Sequence, residues 1–292
     1  MTTVSGLKYR WHMPSVSSEL LHKIVQTYNL SPSIVHTLVA RGFTSQEGIE
    51  QFLFTSSEYV VGDPRSLKDA ERAVERIQHA IANNERILIA GDYDVDGITS
   101  TAMMMLCLLQ HKANVNFFLP TRVRDGYGLS EKIVDRAANN GYSLIITVDN
   151  GITAFDAAHK AYQHGIDVII TDHHQPHGEL PVAYAIVNPH QKACSYPDKL
   201  LAGVGVTFKV LSLLYEKHNM AMPEKVYELL LLGTVADVVP LIGENRYWVR
   251  HGLGWINRAE SMAIHVLREN GGITKSRLDS IDIGFGIAPQ IN

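Results

Sequence analysis

Acids and histidines gather in short segments that follow apolar runs. Gly91-Asp92-Tyr93-Asp94-Val95-Asp96-Gly97 follows Ile87-Leu88-Ile89-Ala90, and Thr147-Val148-Asp149-Asn150-Gly151 closes the run that starts at Leu144. Thr171-Asp172-His173-His174 follows Val168-Ile169-Ile170. Later come Gly203-Val204-Gly205 and Gly233-Thr234-Val235-Ala236-Asp237. Carboxylates with one or two imidazoles are borderline-hard ligands that suit Mn2+ or Mg2+ better than thiolate-seeking metals. Two such ions about 4 Å apart clamp a phosphoryl group and generate hydroxide from water. These residue types therefore argue for metal-dependent phosphoryl hydrolysis. Several carboxylates brought to one crevice repel one another unless cations hold them together.

Each segment also has a plainer reading. Asp149 alone is an ordinary turn residue before Asn150-Gly151. Asp172-His173-His174 alone is a capped loop or a partial zinc site, but Cys194 and His177 match no usual zinc-finger spacing. Gly203 and Gly205 suit a tight turn with close backbone approach. Asp237 is harder to dismiss, because a lone carboxylate inside an apolar run needs a partner or a metal. Asp92-x-Asp94-x-Asp96-Gly97 begins like a calcium loop, yet its twelfth position is Met103 where that loop needs Glu, and a strand precedes it. There is no Walker lysine and no HExxH, and Gly203-Val204-Gly205-Val206-Thr207-Phe208 lacks the last glycine of a dinucleotide fingerprint.

The elements that must position these groups follow from periodicity. Apolar runs of strand length fall near 86–91, 114–119, 143–149, 167–171 and 183–187. Helical patterns fill the gaps at about 98–112, 130–140 and 153–164. Such alternation predicts an α/β fold: a mostly parallel five-stranded sheet with helices on both faces. Strands buried on both faces read as continuous apolar runs, and ligands bind beyond their carboxyl ends. Helices are expected again over 204–218, 223–239 and 245–256. Residues 16–54 read as helical, with Ser31-Pro32 opening one helix and Thr44-Ser45-Gln46-Glu47 a capping box for another. Asp63-Pro64 marks a boundary, and Ser66-Leu67-Lys68-Asp69 caps a helix running to about Glu85. The expected division is a helical lead-in over 1–62, the main α/β domain over 63–256, and the start of a helical connector over 257–292.

Composition bounds the rest. The 292 residues are 46% hydrophobic, enough for a sizeable core, and carry a net charge of −4. That is a poor footprint for a free-standing nucleic-acid binder, although bound cations reverse the sign locally. No apolar run reaches the roughly 18 residues of a membrane span, and no secretory signal opens the chain. Two cysteines, Cys107 and Cys194, exclude a disulfide framework and fit a reducing cytosol, so a cytoplasmic location is expected.

The order of these motifs is similar to the DHH phosphoesterase superfamily, and in detail resembles its RecJ branch of single-strand-specific 5′→3′ DNA exonucleases. The resemblance rests on Gly91 to Gly97, Val148-Asp149-Asn150-Gly151, Asp172-His173-His174 and Asp237. It is supported by Leu119-Pro120-x-Arg122, Gly126-Tyr127-Gly128-Leu129, Leu201-Ala202-Gly203-Val204-Gly205, and the lead-in Arg41-Gly42-Phe43-Thr44 with Phe52-Leu53. It implies two Mn2+ or Mg2+ ions and single-stranded DNA as substrate, in DNA repair and recombination. A helicase and a single-strand-binding protein are its candidate partners. It implies Asp94, Asp96, Asp149, His173 and Asp237 as ligands, with Asp149 bridging. Asp96, His173 and Asp237 would hold one ion with it, and Asp94 the other, helped by Asp92. His174 would contact the phosphate or assist proton transfer, Asp172 would orient the histidine pair, and Arg122 would fork onto a terminal phosphate. An activated water would attack the phosphorus in line, opposite the departing 3′ oxygen.

Proteins of that branch continue past Ile287-Ala288-Pro289-Gln290-Ile291-Asn292 into a basic glycine-arginine stretch, a second phosphoesterase-associated domain and an oligonucleotide-binding domain. The sequence therefore resembles the N-terminal catalytic portion. Alternative readings within the superfamily are a phosphodiesterase of short oligonucleotides or cyclic dinucleotides, a manganese pyrophosphatase or a polyphosphatase. A reading from a different class is a non-catalytic replication scaffold.

Overall fold

A computed structural model of the chain describes residues 2–54, 56, 60–121, 128–259 and 261–292. The chain divides into two compact units, Met1–Val60 and Val61–Asn292.

The first unit opens with a hairpin of β1 (Thr2–Ser5) and β2 (Arg10–Met13), paired antiparallel. Sequence periodicity does not reveal it, because each strand is only four residues long and the described side chains, residues 3–5 and 10–12, are exposed. Three helices follow: α1 (Ser18–Tyr28), α2 (Pro32–Ala40) and α3 (Gln46–Phe54). Ser17 and Ser31 cap the first two, and Pro32 takes the first turn of α2, where its missing N–H costs nothing. The cap of α3 is Ser45, whose Oγ accepts from Gly48 N at 3.1 Å. That places it one residue later than the expected capping box. Ile24, Val35 and Ile49 form the small core.

The second unit is built on a parallel sheet of β3 (Arg86–Ala90), β4 (Asn114–Phe118), β5 (Leu144–Val148), β6 (Asp167–Thr171) and β7 (Ala185–Val187). Their spatial order is β4-β3-β5-β6-β7. Helices α4 (Ala70–Ala82), α5 (Val95–Gln110), α6 (Glu131–Asn139) and α7 (Phe155–Gln163) precede or connect these strands. Then come α8 (Gly203–Lys217), α9 (Lys225–Ala236), α10 (Gly243–Ile256) and α11 (Met262–Asn270). Helix α4 starts later than its sequence suggests. Pro64–Ser66 forms a separate 3-10 turn, and Asp69 adopts φ 63°, with its carboxylate accepting from Ile186 N instead of capping the helix.

Alternate residues of each strand point to opposite cores, as the period of two requires. Ile87, Ile89, Leu144, Ile146, Val148 and Ile169 pack against α4, α5 and α8. Leu88, Ala90, Ile145, Val168 and Ile170 pack against α6 and α7. Both faces are covered, which explains the continuous apolar runs. The chain leaves β3 on one face through α5 to reach β4, then crosses by α6 on the other face to β5, which lies on the opposite side of β3. The order therefore reverses between β3 and β5, and a crevice opens there beyond the strand ends. Residues 257–292 pack within this unit: Ile264, Leu278, Ile283 and Ile287 form a third cluster with Leu231, Leu232, Val249 and Ile256 of α9 and α10. Among the described residues no helix is long and apolar enough to cross a membrane.

Candidate metal centre

The turn after β3 brings the first three aspartates to the crevice. Asp94 caps α5, its Oδ1 accepting from Gly97 N at 2.9 Å. Position 97 has to be glycine, since a Cβ there would lie 2.7 Å from the Asp92 backbone nitrogen. Asp92 folds back to accept from Tyr93 N at 2.7 Å. Asp96, in the first turn of α5 and 1% exposed, accepts from Gly203 N at 2.7 Å and Val204 N at 2.8 Å. Those amides begin α8, so the partial positive charge of that helix N-terminus falls on the Asp96 carboxylate.

Asp149 follows β5 at φ 60°, a left-handed conformation that a carboxylate residue tolerates better than most but that still costs energy. Its amide extends the ladder by donating to Thr171 O at 2.9 Å. Gly203 approaches it so closely that a Cβ would stand 2.3 Å from Asp149 Oδ1. After β6, buried Asp172 organises the histidine pair. Its Oδ1 accepts from His173 N at 2.7 Å and His174 N at 3.1 Å, and meets His174 Nδ1 at 2.7 Å. Its Oδ2 accepts from Ile152 N at 2.9 Å. His173 Nε2 then lies 3.3 Å from Asp149 Oδ1, 3.6 Å from Asp237 Oδ2 and 4.0 Å from Asp96 Oδ2. Asp237 arrives from the end of α9, where unpaired helix carbonyls disfavour an anion.

One ligand atom from each of Asp96, His173 and Asp237 lies within 4.8 Å of the others. The same holds for Asp92, Asp94 and Asp149, and for Asp149, His173 and His174. Asp149 Oδ1, His173 Nε2 and Asp237 Oδ2 are buried with no hydrogen-bond partner among the described residues. Buried polar atoms are normally satisfied, so three unsatisfied ones facing each other require an absent partner. Carboxylate oxygens and one imidazole nitrogen are the donors that Mn2+ or Mg2+ prefers. The residues fit the ions.

Titration behaviour agrees with this geometry. Burial, then the charge of Asp237, raises Asp96 well above the carboxylate range. Burial, then Asp96, does the same to Asp149. Burial and Asp94 push Asp237 up to about 7. Burial, followed by the charge of His174, lowers His173 to about 4, so its imidazole is neutral and able to ligate at pH 7. Asp172 behaves oppositely: burial works to raise it, but hydrogen bonds and charge from His174 and the Ile152 amide hold it below its ordinary value. The Asp172 bond in turn raises His174 despite burial.

The structure thus brings together Asp92, Asp94, Asp96, Asp149, His173, His174 and Asp237, with Asp172 behind the histidines. Arg122, like Gly126 and Tyr127, lies outside the described residues. Gly203 and Gly205 form the first turn of α8 rather than a tight loop. The Gly203 amide is committed to Asp96, and the nearest neighbour of a Cβ at Gly205 would be the Leu201 side chain at an ordinary 3.4 Å. His177 is exposed and belongs to none of the three groups. Two buried asparagines have no role legible in the sequence, where Asn150 reads only as part of a turn and of the Val148-Asp149-Asn150-Gly151 motif. Asn150 bonds Ala90 O, Val148 O and Leu129 N, and Asn188 bonds His174 O and His190 N. The only sequence signal was their place just after a strand.

Comparison with known proteins is consistent with this arrangement. The family described as DHH family, N-terminal domain, matches residues 86–234. The single-stranded-DNA-specific exonuclease RecJ of Bacillus subtilis (strain 168) is 39% identical over 285 residues, covering 98% of this chain and 36% of that protein. The crystal structure of an exonuclease RecJ bound to manganese superposes with TM-score 0.69 at 35% identity, covering 77% of this chain and 57% of the other. RecJ of Thermus thermophilus in complex with Mg2+ gives TM-score 0.65 at 25% identity, covering 95% of this chain and 36% of the other. The chain therefore spans less than two thirds of the length of these relatives.

Proposed function

The chain belongs to the DHH family, and on that premise we propose that it is a metal-dependent phosphodiester hydrolase, a 5′→3′ exonuclease on single-stranded DNA acting in DNA repair and recombination. The observation that carries this reading is the convergence of seven acids and histidines from the ends of β3, β5, β6 and α9, with three of their buried atoms unpartnered among the described residues. The manganese and magnesium held by the solved relatives support two such ions here. Asp96, His173 and Asp237 would hold one ion, Asp92 and Asp94 the other, and Asp149 would bridge them. Bound there, the ions would supply Lewis acidity at the phosphoryl oxygens and ease deprotonation of the attacking water.

The chain's own groups do the rest. Asp172 fixes His174 through Nδ1, so proton exchange with a substrate falls to Nε2. The raised His174 pKa keeps that ring protonated further toward neutral pH, suited to donating to a phosphoryl oxygen as charge grows on it. Arg122 would grip a terminal phosphate. A helicase that supplies the single strand and a single-strand-binding protein that covers it are the proposed partners, in the cytoplasm.

The test is manganese-dependent release of nucleotides from a 5′-phosphorylated, 3′-labelled single strand at low salt, with Asp149→Ala as control. Release from the parent and none from the control is the expected result. Faster turnover of a dinucleotide or of pyrophosphate would move the reading to small-substrate hydrolysis. Failure to bind any divalent ion would favour a scaffold and overturn the reading.

A further inference from the structure

We propose that Asn150 is a positioning residue that sets the spacing of the Asp92–Asp94–Asp149 group, and through it the affinity for the ion held there. The inference rests on the metal-centre reading and adds a residue to it that touches no ion itself. Asn150 is 0% exposed, and its whole carboxamide is committed to backbone. Nδ2 donates to Ala90 O at 3.0 Å and to Val148 O at 2.9 Å, and Oδ1 accepts from Leu129 N at 3.2 Å. Ala90 stands two residues before Asp92, and Val148 immediately before Asp149. One planar group therefore holds the ends of β3 and β5 at the point where their aspartates leave the sheet. The two strands pair in register only up to Ala90 and Thr147, so beyond that pair the ladder no longer fixes their separation. The carboxamide takes over where the ladder stops.

The third bond reaches a different segment. Gly128, at φ 63°, comes so near that a Cβ there would stand 3.1 Å from Asn150 Oδ1. The backbone at Gly128–Leu129 is thus fixed to the same carboxamide as the two ligand-bearing turns. Asp96 and His173 are instead held by bonds outside this carboxamide: Asp96 accepts from Gly203 N and Val204 N, and His173 N donates to Asp172. Loss of the carboxamide should therefore weaken the ion at Asp92–Asp94–Asp149 most and the other only through the shared Asp149, whereas a purely structural role would lower both affinities equally.

The experiment counts Mn2+ on the intact chain by calorimetry and by the electron-spin signal of free Mn2+. It compares the parent with Asn150→Ala, Asp94→Ala, Asp237→Ala and the two double variants that join Asn150→Ala to each aspartate change. Asn150→Ser is read in the same way if the alanine variant does not fold. The parent should bind two ions. Asn150→Ala should lose about 10- to 100-fold in affinity for one of them, as loss of groups that orient ligands usually does, and keep the other within a few-fold. Its effect should be non-additive with Asp94→Ala and additive with Asp237→Ala. Two ions bound unchanged in the variant, or equal weakening of both, would overturn the proposal while leaving the metal centre standing. A parent that binds no ion would instead remove the metal-centre reading, and the proposal with it.

Discussion

At the scale of single residues, the centre is a set of groups held in protonation states they would not choose in water. Asp96, Asp149 and Asp237 all titrate above their ordinary range because burial and mutual charge oppose ionisation. These three carboxyls therefore bind more protons in the folded, metal-free chain than in the unfolded one between the ordinary carboxylate range and about 7, while the lowered His111, His173, His190 and His251 act oppositely. Their contribution to stability in chelator should fall as pH rises through that window, readable as the difference between the parent and Asp237→Asn in thermal melts at pH 5, 6 and 7.5. Ion binding must displace the same protons. Manganese affinity should thus weaken as pH drops below about 7, by roughly tenfold per unit for each proton released, and calorimetry in buffers of different ionisation heat would count them. Asp149→Asn tests the strain as well as the charge. Asparagine accepts positive φ and removes a carboxyl whose ionisation burial and Asp96 oppose, so the metal-free melting temperature should rise while hydrolysis is lost. A lowered melting temperature would mean Asp149 is stabilised by something other than ions. His177→Ala, by contrast, should leave turnover within about twofold, as exposed positions away from a site usually do.

At the scale of elements, the centre depends on how two helices begin. Helix α5 starts under the Asp94 cap, and α8 starts with two amides on Asp96, so each helix fixes a carboxylate by its own first turn. Gly203→Ala should improve helix propensity by up to about 1 kcal/mol and still damage the protein, because its Cβ would drive into Asp149. Manganese affinity should drop by about tenfold or more, in line with other lost ligand-orienting contacts. Gly205→Ala, with room at its Cβ, should keep activity and gain a little stability. Equal behaviour of the two alanines would contradict the close approach at Gly203. The strands and the acids at their ends were legible in the sequence because both faces of the sheet are buried, which leaves unbroken runs such as Leu144 to Val148. The hairpin at Thr2–Ser5 and Arg10–Met13 was not, since exposed short strands carry no periodic signal. Nor was the service of Gly203 to Asp96: a helix is expected from 204, but nothing local shows that its first amides reach a carboxylate 107 residues earlier. Asn150 was hidden for a third reason, because an asparagine before glycine reads as a turn and its reach to Ala90 and Leu129 is long-range.

At the scale of the whole molecule, every candidate ligand belongs to the unit Val61–Asn292, whose sheet, three cores and C-terminal turns surround the acids. A ligand that binds only the folded state raises its stability by about 2.7 kcal/mol at a hundredfold excess over its dissociation constant. For a unit of this size that is about 5–10 °C of melting temperature per ion. Chelation at pH 7.5 should remove the increment and Mn2+ restore it; an unchanged melt would argue that the acids never gather an ion. The order in which the chain is made also matters. The carboxylates come from far-apart stretches, the first beside β3 and the last after α9, with four strands and several helices between. A nascent chain that has completed the sheet already owns Asp92, Asp94, Asp96, Asp149 and the histidines, yet lacks Asp237 and the helix that delivers it. The metal centre would therefore be completed only once α9 has been made, and on the proposed function a chain arrested before α9 would leave nucleic acid uncut.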